Sequence, residues 1–117
     1  MINENAKKII KENAVAIATS NNNQPNVIAV AFVKVIDNNK ILITDNFMKK
    51  TKEDIETNPN VCLAVWDKDW NGYKIIGQAK YFATGKYMDL VKAMPENEGL
   101  PAKGAILIEV SELLELK

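Results

Sequence analysis

The chain has 117 residues, of which 47% are hydrophobic and 26% charged, a composition typical of a globular protein with one core. Fifteen basic and fifteen acidic residues give a net charge of zero, which argues against binding to nucleic acid or to an anionic membrane. Histidine and arginine are both absent, which excludes His-dependent nucleophiles, imidazole bases, His-rich metal sites and guanidinium clamps.

The first half of the chain predicts one helix and three strands. Apolar residues recur at helical spacing over residues 3–13, with lysines on the other side, which predicts a short amphipathic helix. A strand is predicted at residues 15–19, a turn at 20–25, and the most apolar strand of the chain at 27–36. The sequence Asp37-Asn38-Asn39 predicts a hairpin turn, with the returning strand at residues 41–44.

The second half begins with a polar connection at residues 45–50. A short helix is predicted at 51–57, where Thr51 and Asp54 have the spacing of a capping box, and Asn58-Pro59-Asn60 ends it. Strands are predicted at residues 61–66, 73–84 and 104–110, with a further helix at 87–94. Gly77 lies inside the second of these strands and indicates a bulge or a close backbone approach.

These elements predict a mainly β fold. Six strands joined by short connections, with a few short helices, favour a six-stranded antiparallel barrel over a parallel sheet. The chain shows no repeat or linker, so we expect a single domain over residues 1–117. No apolar run approaches the ~20 residues needed to cross a bilayer, and residues 1–11 are too polar for a signal peptide, so a cytoplasmic location is expected.

The single cysteine, Cys62, limits the kinds of cysteine site that the chain can form. One cysteine can form neither an internal disulfide nor a multi-cysteine metal site. Its neighbours are all apolar, which favours a core residue over a nucleophile.

The strand predicted at residues 27–36 is apolar on both faces. One face carries Val27, Ala29, Ala31, Val33 and Val35, and the other carries Ile28, Val30, Phe32 and Ile36, interrupted by Lys34. A half-exposed barrel strand would alternate apolar and polar residues. The second face is therefore covered by a partner subunit, by a flat apolar ligand or by both, and the short helices of the same chain are the alternative.

Lys49, Lys50 and Thr51 stand at the start of the helix predicted at 51–57. Free backbone N–H groups, a hydroxyl and two ammonium groups suit a phosphate, and lysine is the cation that this chain has for such a site. The alternative is a plain threonine cap beside two exposed lysines.

The chain contains, in order, the segments 12–19, 33–41, Met48-Lys49-Lys50-Thr51, Asn58-Pro59-Asn60-Val61, 73–79 with its Gly-x-Ala, and 105–110. This series resembles the pyridoxamine-phosphate-oxidase-like FMN-binding split β-barrels, especially the small FMN-binding proteins, over nearly the whole chain. The resemblance implies a six-stranded split barrel that forms a homodimer, with FMN bound non-covalently at the subunit interface.

The resemblance also implies which residues bind FMN. Lys50 and Thr51 would hold the phosphate, with Lys49 as a helper. The isoalloxazine ring would lie against two strand segments, formed by Ala29, Val30 and Ala31 and by Ile43, Thr44 and Asp45. An aromatic residue would reach the flavin of the partner subunit, the candidates being Trp66, Trp70 and Tyr73, each of which also suits a packing role.

The missing residue types limit the activity that the resemblance implies. Longer pyridoxamine-phosphate oxidases hold substrate with arginine and histidine, so vitamin B6 oxidation is not expected here, and the lack of histidine disfavours haem. The leading interpretation is an FMN-dependent oxidoreductase or electron-transfer protein with an unidentified redox partner. The alternatives are a deazaflavin-dependent reductase and a non-catalytic dimeric binding module.

Overall fold

The computed structural model describes residues 1–30 and 32–116. Within these ranges the chain forms one seven-stranded antiparallel sheet and three α-helices. The strands are β1 (Val15–Asn21), β2 (Gln24–Val30), β3 (Val33–Asp37), β4 (Lys40–Asp45), β5 (Asn60–Trp66), β6 (Gly72–Phe82) and β7 (Gly104–Glu115). The helices are α1 (Glu4–Glu12), α2 (Lys50–Thr57) and α3 (Lys86–Lys92), and a 3₁₀ turn follows at Pro95–Asn97.

The prediction of a mainly β, antiparallel fold is confirmed. The strand order is β2-β1-β5-β6-β7-β4-β3, so the two edge strands, β2 and β3, are neighbours in the chain. Three peptide units join Val30 to Val33 and span at most about 11 Å. The sheet must therefore curl until its edges lie close together, as in a split barrel, although the sheet itself is not closed.

The predicted strand count of six is wrong, because the strand expected at 27–36 is two strands. β2 ends at Val30 and pairs with β1, whereas β3 begins at Val33 and pairs with β4. Both strands are apolar because both border the same core, and the chain passes from one sheet edge to the other without a glycine or proline to mark the break.

The break also changes which residues share a face. Val30, Val33 and Val35 all pack against the barrel core, whereas Val27 is 66% exposed and Ala29 is also exposed. The predicted grouping of Val27 with Val33 and Val35 on one face is therefore wrong. Helices of the same chain leave Val27 and Ala29 uncovered, so that alternative fails at these two residues.

Two hairpins depend on asparagine. β1 and β2 are joined by Asn22 and Asn23 alone, both with positive φ (50° and 62°), the conformation that a two-residue hairpin requires. The turn is tighter than the one predicted at 20–25, since both strands extend into that range. The hairpin predicted at Asp37-Asn38-Asn39 is confirmed, with Asp37 opposite Lys40.

Gly77 marks a bulge, as predicted. The pairing of β6 with β7 shifts between Ile76 and Gly77, and a Cβ added at Gly77 would overlap the carbonyl oxygen of Glu109. The two backbones approach too closely for any side chain at this position.

The core lies inside the curled sheet. It is built from the inward residues of all seven strands together with α1 and α2, and its fully buried members include Ile17, Ile41, Ile43, Leu63, Ile75, Ile106 and Ile108. A smaller cluster lies beneath α3, around Leu42, Met88 and Val91. Cys62 is half-buried on the opposite face of β5 from the core residues Val61 and Leu63, so its predicted place in the core is wrong.

No helix within residues 1–30 and 32–116 is long and apolar enough to cross a membrane.

Candidate functional site

A groove of about 380 Å³ runs along the edge strand β2 to the start of α2. Its volume lies within the range of about 300–1,000 Å³ that small-molecule sites occupy. The residues lining it come from β2, from Phe32, from the end of β4 and its following connection, and from α2, with Leu100 at one side. Six of the nine predicted cofactor residues line the groove: Ala29, Val30, Thr44, Lys49, Lys50 and Thr51.

Two of the other three predicted residues lie away from the groove. Ile43 is fully buried in the barrel core, on the opposite side of β4 from Thr44. Asp45 is also fully buried and lies beneath the connection between β4 and α2. Ala31 lies outside the described residues. The side chains of Ile43 and Asp45 therefore do not line the groove.

One wall of the groove is apolar. Ile28, Ala29, Val30 and Phe32 form it, and Phe47, which is 76% exposed, stands at the mouth. Because β2 is an edge strand, backbone N–H and C=O groups along its free side are not used in the sheet. This wall therefore offers both an apolar surface and backbone hydrogen-bonding groups to a flat ligand.

The other end of the groove is basic. α2 begins at Lys50, with Lys49 at its N-cap, and both lysines line the groove. Among the described residues no side chain caps the first turn, so its backbone N–H groups and the positive end of the helix remain available to an anion. The predicted capping box is wrong because Thr51 is the second residue of the helix, and its hydroxyl accepts a hydrogen bond from outside the helix.

A buried carboxylate lies behind the two lining residues Lys50 and Thr51. The Lys50 ammonium donates to Asp54 Oδ1 at 2.6 Å, and the Thr19 hydroxyl donates to Asp54 Oδ2 at 2.8 Å. Asp54 is fully buried, whereas the Lys50 side chain is 46% exposed. The hydrogen bond from Lys50, helped by that from Thr19, outweighs the effect of burial and lowers the pKa of Asp54.

Asn26 of β2 connects this carboxylate to the groove. Its side-chain amide donates to the Thr19 hydroxyl at 3.2 Å and to the Thr51 hydroxyl at 3.1 Å. No sequence pattern indicated a role for Asn26 or Thr19, and the spacing of Thr51 and Asp54 was interpreted as a capping box. The four-residue spacing of Lys50 and Asp54 on one helix was the one available signal for this ion pair.

A second buried carboxylate orders the connection that leads to Lys49. Asp45 Oδ1 accepts from the Met48 backbone N–H at 2.7 Å, and Asp45 Oδ2 accepts from the Tyr81 hydroxyl at 2.5 Å. Burial and the neighbouring Asp45 carboxylate raise the pKa of Tyr81. The Lys103 ammonium lies 3.9 Å from Asp45 and donates to the Met48 carbonyl. Asp45 thus fixes the backbone of the connection that leads to Lys49, although its own side chain does not line the groove.

The three aromatic candidates occupy different environments. Tyr73 is buried, and its hydroxyl accepts from the Asn5 amide at 2.8 Å, so it packs within its own chain. Trp66 and Trp70 are exposed and stack on each other, with ring centroids 6.3 Å apart and planes 9° from parallel. Only these two of the three candidates present their rings at the surface.

The outer face of the sheet beside the groove is also apolar. We call it the outer apolar face; on β2, β1 and β5 it consists of Val27, Ala29, Ala16, Ala18, Cys62 and Ala64, and on β6 Ile76 joins it between Lys74 and Gln78. The strand register brings them into rows, with Val27 beside Ala18 and Ala18 beside Cys62. Ala29 belongs to this face and also lines the groove, so the two surfaces are continuous.

Sequence comparison finds relatives over almost the entire chain. The family model described as pyridoxamine 5'-phosphate oxidase matches residues 2–117. An uncharacterized protein of Methanocaldococcus jannaschii is 35% identical over an alignment of 121 positions, which covers 99% of this chain and 81% of that protein. A pyridoxine/pyridoxamine 5'-phosphate oxidase of Bdellovibrio bacteriovorus is 28% identical over 83% of this chain but only 56% of its own length.

Comparison with solved structures finds the same fold. The HupZ protein of Group A Streptococcus has a TM-score of 0.91 at 25% identity, over 99% of this chain and 94% of that one. An FMN-binding protein of Syntrophomonas wolfei has a TM-score of 0.81 at 14% identity, over 97% and 85% of the two chains. An F420 reductase has a TM-score of 0.72 at 17% identity, over 95% and 97%.

Proposed function

The chain belongs to the pyridoxamine 5'-phosphate oxidase family, and we propose that it binds FMN in the groove along β2 and acts as an oxidoreductase or electron-transfer protein. One observation carries the proposal. An apolar wall beside free strand backbone and a basic helix start lie at the two ends of a single groove. FMN has the same two parts, a flat ring with a polar edge and a phosphate on a flexible chain.

The residues present fit these two parts. The edge of β2 at Ile28, Ala29 and Val30 would border the ring, and the small Ala29 permits close approach. At the other end, Lys50 uses one of its three N–H donors on Asp54 and keeps two for a phosphate. Lys49 and the first-turn N–H groups of α2 would add further donors.

FMN supplies reversible one- and two-electron transfer, and the protein contributes placement and a water-poor cleft. This division suits a chain without histidine, since no imidazole acid or base is required for electron transfer. The chain's residues would bind the phosphate, hold the ring against β2 and exclude water with Phe47 and Leu100. Oxidation of vitamin B6 phosphates is not proposed, because the chain lacks both arginine and histidine.

The protein would act as a homodimer through the outer apolar face. Val27 and Ala29 are exposed in the single chain, and a second copy placed on this face would remove both from water. Because Ala29 also lines the groove, the same contact would cover one side of the bound flavin. Trp66, at the end of β5, and its stacking partner Trp70 are the two of the three aromatic candidates that would be available to the partner's site.

A deazaflavin-dependent reductase is the second candidate. The deazaflavin tail also carries phosphate, which the Lys49–Lys50 end of the groove would accept equally well. The fold shared with an F420 reductase makes this a specific alternative.

Titration of the purified, flavin-free protein with FMN, riboflavin and F420 tests the proposal. We expect FMN to bind and riboflavin, which lacks the phosphate, to bind at least tenfold more weakly, since charge-assisted hydrogen bonds contribute roughly 1.5–3 kcal/mol each. Binding of F420 without FMN would transfer the assignment to the second candidate. Binding of neither would leave a non-catalytic dimeric module.

A further inference from the structure

We propose that Asn26 is a positioning residue that directs the Thr51 hydroxyl proton into the groove, so that the site selects ligands with an anionic oxygen at that end. The inference rests on the proposed function, because the ligand oxygen in question is that of the FMN phosphate. Asn26 itself lies behind the groove wall and would not touch the ligand.

The charge of the Asp54 carboxylate sets the direction of the hydrogen bonds that connect it to the groove. With the Lys50 ammonium 2.6 Å from Oδ1, Asp54 is ionised and can only accept. The Thr19 hydroxyl, 2.8 Å from Oδ2, must therefore donate its single proton to Asp54. The Thr19 oxygen then has only lone pairs left, so it can only accept a hydrogen bond from its other neighbour, Asn26.

The lone pairs of Thr19 in turn fix the orientation of the Asn26 amide. Its amide lies 3.2 Å from the Thr19 oxygen, so the group facing Thr19 must be the NH₂ and not the carbonyl. The second hydrogen of the same NH₂ points to the Thr51 oxygen at 3.1 Å. Without the Asp54 carboxylate, the Asn26 amide could face the two threonine hydroxyls with either its NH₂ or its carbonyl oxygen, because a hydroxyl can both accept and donate.

The Thr51 hydroxyl accepts a hydrogen bond from Asn26, so its own proton is not used in that bond. Among residues 1–30 and 32–116 that proton meets no hydrogen-bond acceptor, although Thr51 is only 2% exposed and lines the groove. A buried hydroxyl of this kind gains a hydrogen bond when an anionic oxygen arrives. With the amide reversed, Thr51 would donate to Asn26 and turn lone pairs toward the phosphate, which would repel it.

The proposal predicts an effect on phosphate selectivity. Asn26→Leu keeps the approximate size of the side chain and removes both donors, so the Thr51 hydroxyl is free to rotate, and we expect FMN to bind about threefold more weakly while riboflavin binding changes by less than twofold. Thr51→Val removes the proton itself and should give the same pattern with a larger loss of FMN affinity, about tenfold. If Asn26 acts through Thr51, Asn26→Leu should have little further effect on FMN affinity in the Thr51→Val background.

Two further variants keep the test decisive. Asn26→Ser replaces Asn26→Leu if the leucine variant does not fold, because a serine hydroxyl has one proton and cannot donate to both threonines. Asn5→Leu is the matched control, since Asn5 also donates from its amide to a hydroxyl, that of Tyr73, away from the groove. It should leave the ratio of FMN to riboflavin affinity unchanged.

Isothermal titration calorimetry with FMN, riboflavin and the folded variants separates the outcomes. Selective loss of FMN affinity without additivity supports the role of Asn26. Equal loss for both flavins, no loss for either, or additive effects of the two substitutions would overturn it while leaving FMN binding established. Wild-type protein that binds no FMN would overturn the proposed function, and this inference with it.

Discussion

Replacing Lys50 by methionine tests the phosphate end of the groove, because methionine keeps the aliphatic stem and removes the ammonium group. We expect this variant to bind FMN about 10- to 100-fold more weakly, the equivalent of one charge-assisted hydrogen bond of roughly 1.5–3 kcal/mol. Riboflavin affinity should stay within twofold of the wild-type value, since riboflavin offers no phosphate to Lys50.

The same substitution also affects folding, because Lys50 donates to the fully buried Asp54 at 2.6 Å. Its loss leaves that carboxylate with the Thr19 hydroxyl as its remaining side-chain donor among the described residues. The Lys50 side chain is 46% exposed, so water partly replaces it, and we expect a loss of about 1 kcal/mol in the free energy of unfolding.

Combining Lys50→Met with Asp54→Asn separates the two effects. The double variant contains no buried unpaired charge, so its unfolding free energy in urea should recover toward the wild-type value, while its FMN affinity stays low. Lys52→Met is the control, since the Lys52 ammonium lies over the Tyr81 ring and not in the groove. If Lys50→Met binds FMN within twofold of wild type in a fluorescence titration, the assignment of Lys50 to the phosphate is refuted.

Three further predictions concern stability and assembly. Gly77→Ala should lower the free energy of unfolding in urea by about 1–3 kcal/mol, because the added Cβ meets the Glu109 carbonyl oxygen, and an unchanged value would contradict the close approach. The lowered pKa of Asp54 predicts that its stabilising effect is complete above pH 3.8, its unfolded value, and is lost as the pH falls through the lower folded pKa. Asp54→Asn should therefore flatten the fall in unfolding free energy below pH 3.8, and parallel curves would count against the ion pair. Analytical ultracentrifugation at micromolar concentration should show a dimer that Val27→Lys converts to monomer, whereas monomeric wild-type protein would leave the outer apolar face without its proposed cover.

Local patterns were sufficient to predict several features. Alternation and turn residues indicated antiparallel strands, and Gly77 indicated a bulge, because each depends on residues adjacent in sequence. Lys49, Lys50 and Thr51 were predicted as an anion site from their place at a helix start, whereas Ala29, Val30 and Thr44 came from the family resemblance, and all six line one groove in the structure.

The features that were missed depend on contacts between distant residues. The break between β2 and β3 is a change of sheet edge, and the sequence between them contains no glycine, proline or asparagine to mark it. Asn26 lies between the predicted turn at 20–25 and the predicted strand at 27–36 and was assigned to neither. Its role became visible only when the β1–β2 register placed it opposite Thr19 and α2 brought Thr51 within reach. Asp54 has capping-box spacing from Thr51, but the helix begins at Lys50, one residue earlier than predicted, and Asp54 is the buried partner of the Lys50 ammonium.

The visible absorption spectrum of the purified protein, recorded before and after incubation with FMN and removal of the excess, tests the central claim most directly. We predict a flavin spectrum that remains with the protein at one FMN per chain, and that Lys50→Met loses during gel filtration. A wild-type protein that stays colourless after incubation with excess FMN would contradict the account.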